Sequence, residues 1–250
     1  MKGTVTIAGA GPGELEHLTV GALRAIHAAD VILYDALIGD SIIAEFPPHA
    51  ERVYVGKRCG NHAYTQTMII AAMIEHAMAG RNVLRLKGGD PAIFAHLSAE
   101  LEALKNLGIE TRILPGVTAM LSAAADLGRP LTTRGSNRHI WITDGHSEDV
   151  KKYAASMAKF PGTLVFYMGA GRSVEIARLL ISHGIDESKP CVLVENAGSE
   201  HRQINRGSVA DAAAGAITRS THGPGILLLG DALAAKTSST EANYAAATEL

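Results

Sequence analysis

The chain has 250 residues and a formal net charge of −2. That length allows one α/β domain or two small ones, and the charge excludes a general binder of nucleic acid or acidic membranes, which needs a basic excess. No apolar run is long enough to span a membrane, no cleavable leader is expected, and Cys59 and Cys191 are too few for a disulfide framework, so the expected compartment is the reducing cytosol.

Residues 4–8 read as a first buried strand running into Gly9-Ala10-Gly11-Pro12-Gly13. Thr19 can cap a helix carrying Leu23, Ile26 and His27. Residues 31–34 form a second strand ending at Asp35, a brief helix from Asp40 stops at Pro47-Pro48, and residues 52–55 form a third strand ending on Gly56-Lys57-Arg58. Thr65 caps a helix with Met68, Ile69, Ala72, Met73 and His76 on one face and Gly80 as its stop. A fourth strand, 82–86, leads into Lys87-Gly88-Gly89-Asp90-Pro91. Ser98 caps the next helix, which carries Leu101, Leu104 and Leu107 and ends at Gly108. A fifth strand, 111–114, meets Pro115-Gly116-Val117-Thr118, and an Ala-rich helix follows to Leu127.

Turn formers over 128–137 mark the expected boundary. The division is an N-terminal α/β domain over 1–130, a C-terminal α/β domain over 138–235 and a flexible tail over 236–250. In the second domain, strands are expected at 139–142, 163–167, 191–194, 203–205 and 226–229, with helices at about 148–158, 173–183 and 208–218.

Strand and helix alternate through the first domain, which predicts a mostly parallel sheet. Its five strands end on GAGPG, YD, VGKR, KGGDP and PGVTA, and such ends share the edge where open α/β folds bind ligands. Gly88 and Gly89 let main chain approach a ligand, and Asp90 offers a carboxylate to an amine or hydroxyl; a plain β-turn with an Asp cap is the structural alternative. The eleven histidines fall at no metal-ligand spacing, so no metal site is expected. One Trp and four Phe leave no stacking platform for single-stranded nucleic acid.

The rival reading is a dinucleotide-binding oxidoreductase, from Gly9-x-Gly11 and the acid at Asp35. Pro12 removes an N–H from the phosphate cradle, and Glu14 stands where the third glycine should be, opposing a diphosphate. A phosphate-free ligand with an amine, a carboxylate and a sulfonium suits GAGPG better.

In order, Val5-Thr6-Ile7-Ala8-Gly9-Ala10-Gly11-Pro12-Gly13, Leu33-Tyr34-Asp35, Val55-Gly56-Lys57-Arg58, Arg85-Leu86-Lys87-Gly88-Gly89-Asp90-Pro91, Pro115-Gly116-Val117-Thr118-Ala119, Leu164-Val165-Phe166-Tyr167-Met168-Gly169 and Val194-Glu195-Asn196 resemble the tetrapyrrole (corrin/porphyrin) methylases. The likeness runs over roughly residues 3 to 232. It implies two α/β domains with a cleft between them, the class III architecture of S-adenosylmethionine methyltransferases, and a homodimer. It implies S-adenosyl-L-methionine as cofactor, leaving as S-adenosyl-L-homocysteine, held by Pro12, Gly88, Gly89, Asp90, Ile93, Thr118, Ala119, Met168 and Ala197. Asp35 matches the proton acceptor and Lys57 the proton donor. The implied reaction is methylation of uroporphyrinogen III at C2 and C7 to precorrin-2, on the way to sirohaem and cobalamin. Eight substrate carboxylates call for local cations, with Arg58, Arg85, Lys87 and Arg134 as candidates. Structural readings stand beside these: Asp35 as turn residue or cap, the cations as solvated surface, Met168 as core filling. The family pattern departs at 94–100 and 131–137, which leaves another precorrin methylase or a non-catalytic tetrapyrrole-binding module as alternatives.

Overall fold

A computed structural model describes residues 1–56 and 64–234; Lys57, Arg58, Cys59 and the tail from 236 lie outside the described residues. The chain divides into two compact units. The first holds Met1–Leu127 together with Glu195–Gln203 and Thr221–Pro224, and the second holds Gly128–Val194, Ile204–Ser220 and the chain from Gly225.

Five strands build the first unit: β1 (Val5–Gly9), β2 (Val31–Tyr34), β3 (Glu51–Tyr54), β4 (Val83–Lys87) and β5 (Thr111–Leu114). They pair in the order β3-β2-β4-β1-β5, every pair parallel. Helices α1 (Val20–Ala28), α2 (Asp40–Ile43), α3 (Gln66–Met78), α4 (Leu97–Asn106) and α5 (Ala119–Leu127) alternate with them. Alternation along each strand divides the core between the two sheet faces. Ala8, Ile32, Leu84 and Leu86 pack with α1 and α2 through Ile26 and Ile42. Val5, Ile7, Val31 and Leu33 pack with α3 and α4 through Met73 and Leu104. β1 connects to β2 across β4, and β4 connects to β5 across β1, so connections leave the two central strands in opposite directions. Such a reversal opens a crevice at the carboxyl ends of parallel strands.

The second unit carries β6 (Ile140–Asp144), β7 (Thr163–Tyr167), β8 (Pro190–Glu195), β9 (Gln203–Ser208) and β10 (Gly225–Leu229), in the order β6-β7-β10-β8-β9, with the end residues Glu195 of β8 and Gln203 of β9 clustering with the first unit. β6 and β7 are parallel and β10 is antiparallel to β7, so this sheet is mixed. Helices α6 (Asp149–Ala158), α7 (Ser173–Ser182) and α8 (Val209–Ala213) alternate with the strands; the core gathers Met157, Phe166, Leu180 and Leu227. Cys191 is fully buried there, and burial pushes its thiol up to about 12.

Several local expectations change. α3 buries Ile69, Met73 and Ala77, a one-face stripe at spacing four that leaves Met68 47% exposed. α4 begins at Leu97 rather than after Ser98, with His96 left-handed (φ 55°) at its N-cap and giving no side-chain cap. α8 stops at Ala213, short of 218, and left-handed Gly215 follows it. Glu195–Gln203 and Thr221–Pro224, placed by the contiguous division in the second domain, cluster with the first unit. The two stretches are tied by Asn196 N–H to Pro224 O at 2.8 Å and by Thr221 N–H and Oγ1 to Glu195 Oε1 at 3.0 and 2.9 Å.

Phe166 is the bulkiest fully buried side chain among the described residues. Phe166→Ala is expected to lower unfolding free energy by about 3–5 kcal/mol, read from a urea titration.

Candidate functional site

The carboxyl ends of β1, β4 and β5 meet at three glycines whose backbones touch. A methyl group on Gly9 would strike the Gly89 carbonyl and come within 2.7 Å of the Gly116 Cα. One on Gly116 would strike the same carbonyl and come within 2.8 Å of the Gly9 Cα. Hydrogen bonds lock the approach: Ala10 N–H to Lys87 O at 2.8 Å, Gly11 N–H to Gly89 O at 3.2 Å and Gly89 N–H to Gly11 O at 2.9 Å. The Cα face of Gly89, left-handed at φ 67°, has no atom within 4 Å of where a Cβ would stand.

Asp90 fastens this arrangement. Its Oδ1 accepts from Ala92 N–H at 2.8 Å and its Oδ2 from Gly116 N–H at 3.0 Å. The carboxylate expected to grip a ligand therefore already holds KGGDP to PGVTA, combining the Asx turn of the structural alternative with a long-range tie. Thr118 is buried at the start of α5, Ala119 is half-buried beside it, and Ile93 is half-buried beyond Pro91.

The loop after β2 closes the same corner. Asp35 Oδ1 accepts from Leu37 N–H at 3.1 Å, and the Leu37 side chain stands over Gly88, 2.5 Å from where a Cβ there would sit. Gly13 bridges Ile38, so the GAGPG loop lies along this one. Glu195–Gln203 comes in as a strap: Gly198 N–H donates to Asp126 Oδ2 at 2.7 Å, and a methyl on Gly198 would meet Pro12 O at 3.0 Å and His17 Cε1 at 2.8 Å. Ala197, 9% exposed, is thereby carried to the Pro12 side. Pro12, Gly88, Gly89, Asp90, Ile93, Thr118, Ala119 and Ala197 thus all belong to the first unit.

Met168 and Arg134 belong to the second unit. Met168 follows β7 in a left-handed conformation (φ 56°) and is 47% exposed, which corrects its reading as core filling. Phe94, His96 and Asn196 are the other non-glycine residues with positive φ among those described, and all four follow the carboxyl end of a strand. Strained backbone of this kind concentrates at ligand sites. Arg134 lies exposed in a turn closed by Thr133 N–H to Asn137 O at 2.5 Å. Lys57 and Arg58 fall outside the described residues.

Arg85 and Lys87 are a correction. Expected as cations for substrate carboxylates, they are each 4% exposed and bonded inward. Lys87 Nζ donates to both oxygens of the fully buried Glu100, at 2.7 and 2.8 Å, and Arg85 reaches Asp35 Oδ2 at 3.3 Å. Burial pushes the Lys87 ammonium below its usual range while the Glu100 carboxylate pulls it back. Asp126 and Leu37 went unnamed by sequence reasoning, and Glu100 stood only as the end of the departing stretch 94–100. Two cations on one face of an otherwise apolar strand were the available signal for Glu100, because buried charge requires a partner.

The dinucleotide alternative loses its anion site here. α1 starts at Val20, well beyond Gly13, and Thr19 Oγ1 caps it by accepting from Ala22 N–H at 3.1 Å. Glu14 stays at the loop, taking a hydrogen bond from Ser41 at 3.1 Å. Among the described residues only the single 3-10 turn Leu15–His17 starts directly after GAGPG, with the Glu14 carboxylate beside it, and no α-helix starts there to hold a diphosphate.

Fold and geometry together give an α/β protein that presents bare main chain at the carboxyl edge of a parallel sheet, the edge where open α/β folds bind ligands. Residues 4–213 match the family model of the Tetrapyrrole (Corrin/Porphyrin) Methylases. A uroporphyrinogen-III C-methyltransferase of Pseudomonas aeruginosa is 39% identical over 232 residues, covering 92% of this chain and 94% of its own length. A uroporphyrin-III C-methyltransferase of Thermus thermophilus, solved with S-adenosyl homocysteine, superposes with a TM-score of 0.78 at 34% identity, covering 92% of this chain and 99% of its own. A cobalt precorrin-4 methyltransferase gives a TM-score of 0.81 at 27% identity, covering 93% and 96%. The chain also matches siroheme synthases, such as one from Yersinia enterocolitica at 36% identity over 92% of this chain, and spans about half their length (48%). The chain belongs to the tetrapyrrole methylases.

Removing the Asp90 carboxylate orphans two backbone N–H groups. Asp90→Ala is expected to lower stability by about 1–3 kcal/mol, seen as an earlier thermal transition.

Proposed function

We propose that this protein transfers methyl groups from S-adenosyl-L-methionine to C2 and C7 of uroporphyrinogen III, giving precorrin-2. The observation that carries the reading is the joined Gly9–Gly89–Gly116 backbone with its open Gly89 face, in a chain aligned over nearly the whole length of the Pseudomonas methyltransferase. The residues fit the donor: the edge is largely main chain, its loop carboxylates at Glu14, Asp35 and Asp90 disfavour phosphate, and the donor has none.

When bound, S-adenosyl-L-methionine supplies a methyl group already activated by a sulfonium and leaves as S-adenosyl-L-homocysteine. The protein's task is placement, since in-line geometry makes much of the rate of such a transfer. In this reading Pro12, Gly88, Gly89, Asp90, Ile93, Thr118, Ala119 and Ala197 hold the donor, and the family likeness assigns Met168 to it as well. The new carbon–carbon bond leaves positive charge on the macrocycle, and a ring proton must depart to restore conjugation. Asp35, 23% exposed at its side chain, accepts that proton, and Lys57 is the proton donor. Arg134 and Arg58 meet acceptor carboxylates; Arg85 and Lys87, turned inward, do not. A homodimer acting in the cytosol completes the reading.

A second acceptor is favoured by one observation: the cobalt precorrin-4 methyltransferase matches in fold with a TM-score of 0.81. Radiolabelled donor with uroporphyrinogen III is expected to place two methyl groups on the macrocycle. Methylation of a later precorrin instead, with none on uroporphyrinogen III, rejects the acceptor and keeps the class. Calorimetry is expected to show binding of S-adenosyl-L-homocysteine and not of NAD. Asp35→Ala is expected to lower kcat by about 10²–10⁴-fold while S-adenosyl-L-homocysteine binds as before; full turnover by that variant ends the proton-acceptor role.

A further inference from the structure

Behind Asp35 runs a row of buried charges. Arg85 and Lys87 stand two residues apart on β4 and share its face toward α3 and α4. Glu100, from α4, is fully buried with them. Lys87 Nζ takes both Glu100 oxygens, and Gln66 Nε2, at the start of α3, donates to Glu100 Oε1 at 3.0 Å. Arg85 Nε stands 3.8 Å from that same oxygen and makes no hydrogen bond among the described residues. One guanidinium nitrogen donates to the carbonyls of Leu86 at 2.8 Å and Leu33 at 3.4 Å, and the other reaches Asp35 Oδ2 at 3.3 Å. The signs alternate: Asp35, Arg85, Glu100, Lys87.

Well-packed apolar residues in place of a buried ion set are often as stable or more so, so stability is a poor account of this one. Its end point is a better account. Three members are at most 5% exposed at the side chain, and the row emerges only at Asp35, at 23%. There Leu37 N–H holds one carboxylate oxygen and Arg85 the other.

We infer that Arg85, braced by Glu100, is a positioning residue that fixes the orientation of the Asp35 carboxylate for proton acceptance. The two carbonyls under the guanidinium stop it from following Asp35 outward, and Lys87 and Gln66 hold Glu100 in place behind it. A fixed base is already aimed when the macrocycle arrives, which spares reorganisation in the reacting complex. The inference rests on the reading of Asp35 as proton acceptor in methyl transfer.

The test is a double-mutant cycle on the full chain, read as kcat, acceptor KM and S-adenosyl-L-homocysteine affinity. Arg85→Met is expected to lower kcat by about tenfold or more, with acceptor KM and product affinity within about twofold of wild type. Arg85→Lys restores part of the loss. In an Asp35→Asn background, Arg85→Met is expected to cost nothing further, because its effect passes through the carboxylate already removed. If Arg85→Met does not fold, Arg85→Lys carries the same cycle. An equal kcat loss in both backgrounds, or a loss that follows product affinity, overturns the inference while methyl transfer by wild type stands. A wild type that methylates no tetrapyrrole overturns the functional reading and the inference with it.

Discussion

Three main chains in direct contact are the constraint from which the first unit's site follows. β1, β4 and β5 can end side by side in this way only because Gly9, Gly89 and Gly116 carry no side chain at the point of approach. Once they touch, their amides and carbonyls pair across the gap, and Asp90 spans from one loop to the next. The result is a surface of backbone whose shape is set before any ligand arrives. Binding to a preformed surface loses little ordering entropy, which in the proposed reading suits a donor whose reactivity is built in and whose geometry is all the protein must supply.

The opposite directions in which connections leave β1 and β4 place this surface, and loops of separate origin finish it. Leu37 covers Gly88, Gly13 runs beside Ile38, and the Gly198 strap is pinned by Asp126 against Pro12. Each tie joins residues far apart in sequence. The same strand that delivers Gly88 and Gly89 also carries Arg85 and Lys87 inward, so β4 joins the glycine-bearing edge to the buried charges behind Asp35.

Much of this was legible in the residues, where local chemistry decides. Thr19 and Thr65 cap their helices because a hydroxyl can satisfy a free N–H nearby in the chain, and both do. Pro12 and Glu14 argued against a phosphate cradle by what they lack and carry, and the late start of α1 agrees. The charged residues were harder. Arg85 and Lys87 look like any surface cations by composition, and Glu100 sits in a helix segment with Glu102 that reads as solvated. Ser98 made a better cap on paper than His96, yet Glu100 has to reach Lys87, and α4 begins at Leu97.

Sequence by itself determined the strand–helix alternation, the glycine-bearing ends of the strands and the family, because periodicity, capping and backbone permissiveness are written in short stretches of chain. Only the tertiary structure decided that Asp90 holds another loop, that Arg85 and Lys87 turn inward to Asp35 and Glu100, and that Glu195–Gln203 packs with the first unit. Those outcomes depend on which distant groups arrive within hydrogen-bond reach once the strands are ordered in space. A buried charge takes whatever partner the fold delivers, and spacing along the chain carries no record of that partner.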